Sequence, residues 1–181
     1  MRIARKLNAD LEIIKRFIDL LGSGMVELSG NQYARPEFFI RAHTFINEYI
    51  EGGFFKKEEM LIKTLEELGF PSDDGAIKYL RAEKKKSHEA AEQLLGATKE
   101  WQEGDEKARV DVSWAASEYT STLRQHLDRL KNLVFPLLEQ NLSIEDEHEI
   151  AMGFNAILFD GEPDKFDKLL ERLEEELFDW R

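Results

Sequence analysis

The stretch Val112–Leu137 reads VSWAASEYTSTLRQHLDRLKNLVFPL. Val112, Ala116, Tyr119, Leu123, His126, Leu130, Leu133 and Leu137 recur in it at steps of three and four, the period of an α-helix. A strand would alternate every second residue, and nothing here does. One member of the stripe, His126, is polar. An inward stripe is expected to be apolar, so that histidine is the first informative residue of the chain.

Working outward, the same period holds almost everywhere. Toward the C-terminus, Ser143-Ile-Glu-Asp146 has the form of a capping box that opens a short fifth helix. Asp160-Gly-Glu-Pro163 reads as a turn, and Asp164–Trp180 as a final amphipathic helix. Toward the N-terminus, Gly104 closes a third helix whose inward face carries Ile77, Leu80, Lys84, Ser87, Ala91, Leu94, Thr98 and Trp101. Gly69-Phe-Pro-Ser-Asp-Asp-Gly75 ends a second helix, with Ser or Asp available to cap the third. That second helix starts at Pro36, where a missing N–H costs nothing. Phe39, His43, Asn47, Ile50, Phe54, Glu58, Leu61, Leu65 and Leu68 fall along one side of it. Gly52 and Gly53 interrupt it and predict a bend or a close approach, since each costs about 1 kcal/mol relative to alanine in a helix. The first helix is expected over Asn8–Leu21, with Leu7, Leu11, Ile14, Ile18 and Leu21 on one face and Gly22-Ser-Gly24 as its stop.

Four long amphipathic helices joined by short turns bury their stripes most simply as an up-down-up-down bundle. The expectation is therefore an all-α single domain over residues 1–181. The bundle spans about 7–140 and a C-terminal helical extension spans about 143–180.

Composition narrows function by exclusion. The 181 residues carry 37 acidic against 25 basic side chains, a formal charge of −12, which repels a phosphate backbone. Nucleic acid is not an expected partner. No apolar run approaches the roughly 18 residues that cross a bilayer, so no membrane is expected either. The basic start MRIARKL runs straight into helical pattern without the apolar core of a signal peptide. With no cysteine, disulfides, zinc–thiolate sites and thiol nucleophiles are ruled out, and the cytoplasm is the expected compartment.

The polar residues on inward faces are Glu58 and His43 on the second helix, Lys84 on the third and His126 on the fourth. A lone buried charge is costly and a paired one tolerable, so a Glu58–Lys84 pair in reach of His126 is the simplest expectation. His88 and His148 lie among charged residues and are expected in solvent.

Several blocks of this chain resemble the hemerythrin HHE cation-binding family over nearly its whole length. Lys56-Lys-Glu-Glu59, then Met60-Leu-Ile62 and Leu65-Glu-Glu-Leu-Gly69, resembles the family's second-helix block. Gly75-Ala-Ile77 through Ala82-Glu83-Lys84 resembles the third. Tyr119, His126-Leu127 and Val134-Phe135-Pro136 resemble the fourth, and Phe135-Pro136 nine residues past His126 is the most specific match. The resemblance implies a bundle that surrounds two iron ions with histidines and carboxylates. Transferred residue by residue, the first-helix ligand position falls on Leu11. The second-helix pair falls on Phe54 and Glu58, the third-helix histidine on Lys84, and the fourth-helix pair on His126 and Leu130. Two candidate donors, Glu58 and His126, remain of six.

Three readings stay open. In the first the domain has lost di-iron and any cofactor, and serves as a binding, scaffold or sensory module for a protein or a small apolar ligand. In the second Glu58 and His126 hold a single iron or zinc ion, with His43 or water completing the site. In the third the chain is an enzyme that uses a desolvated Lys84 as amine nucleophile or base. The final helix, through Phe166, Leu169, Leu170, Leu173 and Leu177, either supports a homodimer or covers the bundle.

Overall fold

The computed structural model describes residues 2–157 and 164–181. Its described residues are helical with no strand, and six helices follow one another. Helix α1 is Arg2–Leu28. Helix α2 runs from Pro36–Phe45 through a π-helical segment, Ile46–Phe54, into Phe55–Glu67. Helix α3 is Gly75–Gln102. Helix α4 joins Ala108–Arg129, a second π segment Leu130–Val134, and Phe135–Asn141. Helices α5 (Ile144–Asn155) and α6 (Lys165–Trp180) complete the chain. The turn expected at Asp160–Pro163 lies outside the described residues.

Cross-helix pairs fix the topology. Along α1 and α2, Gly24 meets Phe38, Phe17 stacks on Phe45 at 4.4 Å, and Asp10 meets Lys57, so the two helices run antiparallel. Glu66–Arg81 and Glu51–His88 do the same for α2 and α3, and Glu83–Arg129 joins α3 to α4. Arg124–Asp19 and a bond from Arg109 to the Leu28 carbonyl bring α4 back against α1. The result is the expected up-down-up-down four-helix bundle, with α5 on α1 and α2 and α6 on α1 and α2.

Local chemistry sets the ends. Pro36 sits in the first turn of α2. The Asp74 side chain accepts from Gly75 N–H at the start of α3. Ser143 and Asp146 form the reciprocal capping box of α5, at 3.1 Å in each direction. The apolar face of α6 is buried on its own bundle: Phe166, Leu170, Leu173, Leu177 and Trp180 are covered, and the Trp180 ring lies 5.0 Å from Phe38. Asn31 donates to the Trp180 carbonyl at 2.8 Å and so satisfies one of the last carbonyls of that helix.

Two sequence expectations fail for physical reasons. The Gly22-Ser-Gly24 stretch does not stop α1, which continues to Leu28. Gly24 is there for contact, because a Cβ would lie 2.3 Å from the ring of the fully buried Phe38. Gly22 faces open space. Gly24→Ala is therefore expected to lose about 1–3 kcal/mol by overpacking. Gly22→Ala should gain about 0.5–1 kcal/mol from helix propensity. Urea melts of the two variants check the pair, and equal effects would show that α1 and α2 do not touch at Phe38.

The second failure is one of phase. A π turn accommodates one extra residue, so past Leu130 the inward positions slip forward. Val134 and Leu138 are fully buried in place of Leu133, which is 42% exposed, and Leu137, which is half-buried. In α2 the π segment accounts for Gly52. A Cβ on Gly52 would lie 3.0 Å from the Asn47 carbonyl oxygen, five residues earlier.

Candidate functional site

Both π segments border the same level of the bundle, since one ends at Phe54 and the other begins at Leu130. Between them lies a chain of four charged side chains. Glu58 on α2 is completely buried, and His126 on α4 is 1% exposed. His126 Nε2 meets Glu58 Oε2 at 2.8 Å, and Nδ1 meets Glu83 Oε1 at 3.1 Å. Arg129 Nε then donates to both oxygens of Glu83, at 3.2 and 3.3 Å. The Arg129 guanidinium lies 4.6 Å from the Tyr79 ring centroid, where the chain reaches solvent. The Phe55 ring meets the imidazole edge-on at 5.6 Å. Charge alternates along the path, negative and positive in turn, so the cluster is neutral as a whole, with Glu58, His126 and Glu83 buried and Arg129 partly exposed at its end.

The hydrogen-bond geometry suits a charged histidine. Ionised carboxylates only accept, and His126 has one on each ring nitrogen, so both nitrogens donate only when the ring is a cation. Burial by itself would lower the His126 pKa. The charge and hydrogen bond of Glu58, followed by those of Glu83, outweigh it and raise the value to about 9. Burial would likewise raise Glu83, yet its bonds to His126 and Arg129 hold it below the usual carboxylate range. Glu58 Oε1 has no hydrogen-bond partner among the described residues, nor does the buried Tyr119 hydroxyl.

The structure unites Glu58 with His126, but the partner on α3 differs from the expected one. Glu83, not Lys84, points inward. Lys84 lies at the edge, 3.4 Å from Glu59 and 5.3 Å from the Phe55 ring centroid. The expected Glu58–Lys84 pair is therefore replaced by Glu58–His126–Glu83. Leu11, Phe54 and Leu130 are buried apolar residues of the core. His43 is half-buried and set 3.7 Å from Glu92, apart from the cluster. His88 is exposed against Glu51 at 2.8 Å, and His148 is exposed.

Sequence reading missed Glu83, Arg129 and a second polar node. The signal for Arg129 was its position three residues past His126, which places it on the same helix face. The second node is Asp10, 9% exposed, which accepts from the Tyr49 hydroxyl at 2.6 Å and from Lys57 at 2.8 Å. Burial, then the Asp10 charge, raises the Tyr49 pKa far above its ordinary value, so this phenol stays neutral.

The arrangement can hold charge and position a proton, and its geometry bears on metal binding. Glu58 and Glu83 approach opposite nitrogens of one ring, so the two carboxylates do not converge on a common point beside it. No group of three or more His, Asp or Glu side chains among the described residues is arranged to hold a metal ion. Nor is any helix there long and apolar enough to cross a membrane.

Comparison with known proteins gives one match. The sequence model of the Hemerythrin HHE cation binding domain covers residues 5–138, which is α1 through nearly all of α4. No curated protein and no solved structure matches this chain.

Proposed function

This chain belongs to the hemerythrin HHE cation-binding domain family, and we propose that an ion chain, Glu58–His126–Glu83–Arg129, takes the place of the family's metal centre. On this reading the domain is a cytoplasmic binding, scaffold or sensory module. The observation that carries it is His126, whose two nitrogens both face carboxylates at 2.8 and 3.1 Å. An imidazole so held has no lone pair for a metal. Leu11, Phe54 and Leu130, at the other positions the family resemblance marks, have no donor atoms. These residues do not fit a di-iron centre.

Glu58 and His126 do converge, and Lys84 does point away, which a mononuclear site would require. The unpartnered Glu58 Oε1 also favours that second reading. Against it stand Glu83 on the other ring nitrogen and the Arg129 cation behind Glu83. Lys84 beside Glu59 lacks the desolvated setting that amine catalysis needs.

The acidic chain suits a protein or small-molecule partner better than nucleic acid. A homodimer would use a surface other than the apolar face of α6, which the bundle already covers.

Elemental mass spectrometry tests the proposal on protein purified without a His tag and offered iron, zinc and manganese. Well under one metal per chain is expected. One equivalent, lost on His126→Ala, would replace the proposal with the mononuclear site, and two would overturn the placement of every ligand position.

A further inference from the structure

Two aromatic side chains stand far out of the surface, in opposite settings. Phe178 on α6 is 77% exposed and lies among Glu171, Glu174, Glu175 and Asp179. Trp114 on α4 is 73% exposed and borders an open groove of about 820 Å³ between α4 and the C-terminal end of α1. Met25, Leu28 and Val110 give the groove its apolar lining, and Ser113 and Ser117 keep its α4 wall small and uncharged. Its charged residues, Glu106 and Arg109, meet each other at 3.5 Å. Arg109 is engaged further with the Leu28 and Asn31 carbonyls, and the Asn31 amide with the Trp180 carbonyl. The lining leaves no free charge to hold an ion or orient a polar ligand, so the groove favours an uncharged, apolar surface.

A projecting ring and a groove on one patch are the two halves that a two-fold axis needs. Each copy inserts its ring in the groove of the other, and the contact closes at two. We infer that this chain forms a weak homodimer in which Trp114 of each copy packs into the groove lined by Met25, Leu28 and Val110 of the other. Charge supports this choice of occupant. Chains of formal charge −12 repel one another over most of their surface. They meet at lowest cost where the lining is neutral, which holds on the α1 side of Trp114 and fails around Phe178. On the other side of Trp114, Glu100, Asp111 and Glu118 line a second hollow and confine the contact to the α1 side. A basic partner would find its complement at Phe178 and gain nothing from the neutral groove. His126 lies further along α4 by twelve residues, about 18 Å at 1.5 Å per residue, so the dimer does not depend on the ion chain.

Trp101 and Trp180 are buried, so acrylamide quenching of the full chain reads Trp114 almost alone. Sedimentation velocity beside it, from about 2 to 500 µM, reads the mass. A monomer–dimer equilibrium with a Kd of about 10–100 µM is expected, with quenching that falls as the dimer forms. Raising NaCl from about 0.05 to 0.5 M should tighten the dimer by screening the repulsion. Trp114→Ala should weaken it roughly a hundredfold or more, since each dimer loses two aromatic anchors. The urea midpoint should not change, because the ring is exposed. Ser117→Glu keeps the reporter, places an acid in the contact, and should leave Trp114 open to acrylamide at every concentration. A chain that stays monomeric at about 500 µM overturns the inference, and free indole bound by that monomer would assign the groove to a small apolar ligand. A dimer that survives both substitutions overturns it too, as does one that salt dissociates, which places the contact on charged faces.

Discussion

Replacing His126 with leucine is expected to cost about 3–5 kcal/mol of folding stability, because it strands a completely buried carboxylate. Glu58 Oε1 has no partner to begin with, and the substitution removes the partner of Oε2 as well. A double change, His126→Leu with Glu58→Leu, removes both charges and should return to within about 1–2 kcal/mol of the parent, the usual behaviour when a buried ion pair is exchanged for apolar side chains. Glu83 keeps Arg129 in either variant, so no second charge is orphaned. The stranded carboxylate escapes its penalty only by taking up a proton. The deficit of the single variant should therefore shrink as pH falls toward 4, while the double variant shows no such recovery. Urea melts at pH 4.5 and pH 7.5 read all of this. A double variant as unstable as the single one would mean that His126 matters for its shape and packing and not for its charge.

The bundle was legible because its evidence is redundant. Dozens of positions repeat one period, and a local error such as ending α1 at Leu21 leaves four stripes intact. The site was less legible because it depends on phase at single residues. On α3, steps of three and four allow either Leu80–Glu83–Ser87 or Leu80–Lys84–Ser87, and both satisfy the helical pattern. Only the packed neighbours decide between them: Arg129 offers Glu83 a cation inside, and Glu59 draws Lys84 outside. The π segments add a further shift that the spacing of apolar residues conceals. Leu133 and Val134 are both apolar, so nothing in the sequence marks which of them turns inward. His126 was found because it stands alone as a polar residue on an apolar stripe, and Glu58 because it is the one acidic member of its stripe. Asp10 was missed because it sits beside the stripe at Leu11, where an acidic residue looks like the solvent edge.

The stability of the parent protein is expected to fall on the order of 3 kcal/mol between pH 6.5 and about 9, through His126 alone. Below pH 6.5 the ring is protonated in folded and unfolded chains alike, and the pairing with Glu58 and Glu83 contributes fully. Between the two values the unfolded chain releases its proton while the folded chain retains it, so the advantage of folding declines with each pH unit. Above about 9 both forms are neutral and the contribution is gone. Glu83 works in the opposite sense: its stabilisation is present above the usual carboxylate value of 4.5 and is lost as pH falls through its lower folded value. Together they predict an optimum between about pH 4.5 and 6.5. His88, raised by its bond to Glu51, titrates in the same direction from the surface, and His88→Gln subtracts it. Tyr49 and Tyr119, both raised chiefly by burial, remain neutral across the window and add nothing. Urea midpoints from pH 5 to 9.5 should decline above 6.5 for His88→Gln in the parent, and stay level when His88→Gln is combined with His126→Leu and Glu58→Leu. A level curve for His88→Gln alone would mean a neutral imidazole with a free lone pair, and the ion chain would then no longer stand against metal binding. A declining curve ties the two properties together: the proton that stabilises the fold occupies the nitrogen that a metal would need.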